Sequence, residues 1–82
     1  MNFSKQDIET IKKAIIYYDS NERNNAIQEI KKIPFFKAEI DWFIMSIIED
    51  LDYQDKGIKH NRAKEYLVQA LNWVKTHQKG DD

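Results

Sequence analysis

Apolar residues recur along this chain at intervals of three and four over most of its length. Ile8, Ile11, Ala14, Ile15 and Tyr18 share one helical face, which predicts a first amphipathic helix. Its start is marked in the sequence. Ser4 is an N-cap, Asp7 stands in the capping-box position, and Phe3 is placed to staple onto Ile8. Asp19-Ser20-Asn21 reads as a turn in which each residue is a good N-cap. A short second helix over about 21–32 follows, with Ala26, Ile27, Ile30 and Ile33 inward. Pro34 ends it, because proline lacks the N–H and disfavours helical geometry at Ile33.

The third helix, about 35–53, is the most apolar. Phe36, Ile40, Phe43, Ile44, Ile47, Ile48 and Leu51 form one wide stripe, and Phe35, Ala38, Trp42 and Met45 form a second beside it. A helix apolar on most sides is expected at the centre of a bundle or to carry a surplus face. Gly57 supplies the stop. A fourth helix from about 59 to 77 turns Ala63, Tyr66, Leu67, Ala70, Leu71 and Val74 inward, with Trp73 on the flank. Loops this short make neighbouring helices antiparallel. The expected fold is all-α: one domain over 1–82, a compact three- to four-helix antiparallel bundle with helix 3 central and residues 79–82 as a frayed tail. The 12 isoleucines, two glycines and single proline fit long regular elements and a well-defined core.

The spacing of Ala63, Leu67 and Ala70 resembles the second helix of a tetratricopeptide hairpin, and Trp42 falls where that motif often has Trp. The turn between is too long for the motif, and its Leu-Gly pair falls on Met45-Ser46. The resemblance does not assign the family.

Charge adds a feature that the periodicity lacks. The net charge is −1, but residues 38–55 carry six acids and no base. The segments before and after are net basic. Four of those acids, Glu49, Asp50, Asp52 and Asp55, gather at the C-terminal end of the third helix, where the macrodipole is already negative. Lys56, Lys59, His60, Arg62 and Lys64 follow across the turn. Two wrong-signed helix ends side by side can neutralise each other. Equally, such a conflict between local choice and fold can mark a functional surface.

Catalytic chemistry finds little support. There is no cysteine, which removes disulfides, thiolate metal sites and a thiol nucleophile. Together with the lack of an apolar leader or a membrane-length run, this makes a cytoplasmic location the expectation. His60 and His77 are 17 positions apart, roughly 25 Å along a helix, too far to share a metal. Ser4, Ser20 and Ser46 lack a nucleophile context, and there is no phosphate loop. The stretch Asp50–Gly57 has some calcium-loop character, but no register places both glycine and ligands correctly. No enzyme activity, metal or cofactor is expected.

The expected function is stoichiometric protein binding, as in a regulator, inhibitor, immunity or antitoxin-type protein. The contact residues would be Trp42, Glu49, Asp50, Asp52, Tyr53 and Asp55, acting on a basic or nucleic-acid-binding surface of a target. Tyr17, Phe35 and Trp73 add spare aromatic surface. Two alternatives stay open. A nucleic-acid-binding, helix-turn-helix-like regulator would use Lys59, His60, Asn61, Arg62 and Lys64 at the start of helix 4. A structural homo-oligomer, or a homodimer, would bury helix 3's second stripe.

Overall fold

The computed structural model describes residues 3–77. Four α-helices account for most of them: α1 Lys5–Asp19, α2 Arg23–Lys31, α3 Ile40–Asp55 and α4 Arg62–Thr76. The tail expected at 79–82 lies outside the described residues. α1 packs on α2 and α4, and α3 packs on the same two helices from the opposite side. Chain direction alternates, and the ends meet where the Phe3 N–H donates to the His77 carbonyl at 2.9 Å. The result is an up-down-up-down four-helix bundle. No described helix is long and apolar enough to cross a membrane.

The start of α1 follows its sequence signal. Ser4 Oγ accepts from the Asp7 N–H, and the Asp7 carboxylate accepts from the Ser4 N–H at 2.9 Å. Two of the four donors left free at a helix start are thereby satisfied. Ser4→Ala is expected to cost ~1 kcal/mol. Thermal denaturation followed by circular dichroism should show the midpoint falling by ~4–8 °C.

The first turn differs from expectation. None of Asp19, Ser20 and Asn21 caps α2. Asn21 adopts φ 63°, a left-handed conformation that Asn tolerates, and so closes α1. The third helix also begins differently. Pro34–Glu39 winds as a 3-10 helix, and only from Ile40 does the chain become α-helical. Ile33, held extended before the proline, and the tighter winding together carry Phe36 into the core. There it stacks near Phe3 and meets Phe35 edge-on at 5.1 Å. Gly57 takes φ +77° after α3 as expected, but α4 then waits until Arg62, leaving 58–61 irregular.

Helix 3 does not occupy the expected centre. Its buried face is narrow, comprising Phe43, Ser46, Ile47 and Asp50. Trp42, Met45, Ile48 and Leu51 are exposed. Four short helices around one core give each helix an outer face, and none is enclosed. The large, wholly buried side chains are shared among all four: Ile11, Ile30, Phe43, Leu67 and Val74.

Candidate partner-binding site

At the tip between α3 and α4, Asp50 is 5% exposed and accepts from four donors. Oδ1 receives the Arg62 N–H at 3.0 Å and pairs with His60 Nδ1. Oδ2 receives the Ala63 N–H at 2.9 Å and the Tyr18 hydroxyl at 3.1 Å. Asn61, at the N-cap position of α4, makes no capping bond with its side chain. A carboxylate from the preceding helix caps α4 instead, and its negative charge meets the positive end of that helix dipole. The Tyr18 bond also reaches across the bundle diagonal from α1. Burial alone would push the Asp50 carboxyl up. The Ala63 N–H, His60, the Arg62 N–H and Tyr18 together outweigh it and hold the group below the ordinary carboxylate range. Tyr18 is pushed up by its own burial and then by the Asp50 charge.

Asp50 is therefore an internal anchor and drops out of the exposed acidic patch. The rest of the expected set is dispersed. Asp52 pairs with Lys56 at 3.1 Å in solvent, a contact worth little. Tyr53 is half-buried, stacked on His60 with centroids 4.4 Å apart. Glu49, Asp55 and Trp42 face solvent. The basic set is divided too. Lys59, His60 and Asn61 precede α4, His60 turns inward onto Asp50, and Lys64 bonds Asp19 at 2.6 Å. Only Lys59, Asn61 and Arg62 of that set remain fully presented.

What the fold does assemble is a groove along α3 and α4. Trp42, Met45 and Glu49 form one bank near the tip, with Arg62 opposite. Trp42 and Arg62 continue into a second stretch with Glu65, Tyr66 and Gln69. Tyr66 and Gln69 lead on to a cup of about 250 Å³ between Phe35, Phe36, Glu39 and Trp73. Trp42 and Met45, which line this groove, are 64% and 61% exposed. His77 closes the far end, stacked on Trp73 at 4.1 Å.

Both features have a trace in the sequence. Asp50 stands three and seven positions after Ile47 and Phe43, so it falls on their buried face. A polar residue on that stripe signals an internal anchor. Arg62, Glu65, Tyr66, Gln69 and Trp73 follow i, i+3, i+4, i+7, i+11 spacing, a second stripe beside the core stripe of α4. The pairing of that stripe with Trp42 and Met45 is a tertiary fact. Among the described residues, no group of three His, Asp or Glu side chains could hold a metal. Comparison with protein-family models, curated proteins and solved structures gives no match.

Proposed function

We propose that this chain is a non-enzymatic protein-interaction module of the cytoplasm that binds a basic, amphipathic segment of a partner along the α3–α4 groove. The observation that carries this reading is the exposure of Trp42 and Met45, two large apolar side chains that line an aromatic-rich groove. Monomeric proteins rarely leave such surface contiguous without a use. A groove banked by two antiparallel helices suits an amphipathic helix. The charge of the partner follows from α3, whose Asp41, Glu49, Asp52 and Asp55 are exposed and whose length carries no base. Glu39 and Glu65 extend the acidic rim. A second copy docked through α3 would set acids against acids, at a cost of several kcal/mol. A non-enzymatic role is supported by where the usual catalytic groups are spent. His60 holds Asp50, His77 stacks on Trp73, Ser4 caps α1, and Ser46 bonds the Trp42 carbonyl. The absence of cysteine supports the cytoplasm.

The test is a Met45→Glu variant. A protein captured by the wild type would be identified by mass spectrometry, purified and titrated against both forms. The variant should bind at least ~30-fold more weakly, the loss of a hot spot of about 2 kcal/mol. Its helical circular-dichroism signal should be unchanged, since Met45 is mostly in solvent. Equal affinity would overturn the reading. Recovery that vanishes on nuclease treatment would transfer the function to Lys59, Asn61 and Arg62 and to nucleic acid.

A further inference from the structure

The cup at the end of the groove has a wall chemistry of its own. Phe35 and Trp73 lie nearly parallel, their centroids 6.2 Å apart. Phe36 stands edge-on to Phe35 and inclined at 72° to Tyr66. Tyr66 is itself backed by Phe43, stacked at 5.1 Å. These rings hold one another in place, so the cup is formed before anything enters it. Four aromatic side chains, Gln69 and Ala70 line the cup with one carboxylate, that of Glu39. Among the described residues Glu39 makes no ion pair and no side-chain hydrogen bond. The Tyr66 hydroxyl beside it is buried and has no partner among those residues. Burial and the Glu39 charge push that phenol up to about 12, which keeps it neutral.

An apolar occupant would displace water from the exposed Glu39 carboxylate without offering it a charge in return. A cation would answer the carboxylate and also meet ring faces, whose quadrupoles attract positive charge. The flat walls favour a planar cation over a compact one. Guanidinium stacks on aromatic faces and forks onto a carboxylate, whereas ammonium is a strongly hydrated point charge. We propose that the cup receives the side chain of one arginine from the docked basic segment, its guanidinium against the aromatic walls and the Glu39 carboxylate. This rests on the docking reading above and names the residue that fixes the segment's register.

The probes are N-acetyl-arginine methylamide and N-acetyl-citrulline methylamide, which share a shape and differ in charge. Each would be titrated into the 82-residue chain while the two tryptophan indole N–H signals are followed by two-dimensional NMR. The arginine amide should shift the Trp73 signal saturably and leave Trp42 in place, because Trp42 lines the other end of the groove. The citrulline amide should bind at least ~5-fold more weakly. Glu39→Gln should remove that difference while leaving the fold intact, since the Glu39 side chain makes no ion pair or hydrogen bond among the described residues. Equal binding of the two amides, or an arginine amide that leaves Trp73 unmoved, would overturn the proposal. The two readings separate cleanly. If the amides behave alike while the Met45→Glu variant loses its partner, only the cup falls. If the arginine amide is selected while that variant binds as wild type, the cup stands and the docking reading falls.

Discussion

Replacing Asp50 with alanine should destabilise the fold by about 3–4 kcal/mol and lower the thermal midpoint by at least ~12 °C. The reason is the number of donors it serves. Removal strands the Arg62 and Ala63 N–H groups at the start of α4, together with the Tyr18 hydroxyl and His60. A stranded buried donor costs about 1–3 kcal/mol, and the partial exposure of this tip lets water recover some of the sum. Tyr18→Phe removes one of the four and should cost only about 1 kcal/mol. Asp50→Asn is a sharper probe, because an amide presents one oxygen and brings donors of its own toward donors. A chain of 82 residues has of the order of 4–12 kcal/mol in total, so Asp50→Ala removes a large share. Urea unfolding of the three variants would rank them, and equal midpoints for Asp50→Ala and wild type would refute the anchor role.

The same carboxylate gives the stability a direction in pH. A group held below its ordinary value in the fold binds its proton less readily than the unfolded chain does. Its contribution is complete above the unfolded value of about 3.9 and is lost as the pH falls below it toward the lowered native value. The gap between wild type and Asp50→Asn should be widest near neutrality and close progressively below about pH 4. A gap constant from pH 7 to pH 3 would show that the charge of Asp50 is immaterial.

Phe43→Ala should cost about 3–5 kcal/mol, the range for deleting a wholly buried aromatic ring. Among the described residues, Phe43 is the largest wholly buried side chain and the one large side chain of α3 that is wholly buried. It also backs Tyr66, which lines both the groove and the cup. The substitution should therefore loosen the groove as well as the core. Phe43→Leu keeps most of the volume and should cost less than about 1.5 kcal/mol. Ile48→Ala, on the exposed outer face of the same helix, should stay within about 0.5 kcal/mol. Urea midpoints in that order would place the core under α3 at Phe43. A large loss at Ile48 would mean that the outer face is covered in solution.

The helices themselves were legible from residue spacing, because a period near 3.6 writes one buried stripe per helix. Ser4 and Asp7 announced the start of α1, and Gly57 the end of α3, since capping and left-handed turns are local chemistry. The start of α4 was not legible. Lys59, His60 and Asn61 are compatible with helix by propensity, and what delays α4 to Arg62 is a carboxylate 12 positions earlier in the chain. Likewise, Glu49, Asp50, Asp52 and Asp55 form one cluster in sequence. On a helix they point in different directions, so one anchors the core while the others meet water. The two apolar stripes of α3 could not be sorted into core and surface, because both are apolar and only the neighbours decide. What the sequence by itself determined is the all-α class, the periodic faces and the local caps, each fixed by residues within a few positions of one another. The tertiary structure decided which stripe is buried, which acid is internal, and that Trp42, Tyr66 and Trp73 line one groove. Those depend on contacts between residues far apart in the chain, and spacing along one helix carries no information about them.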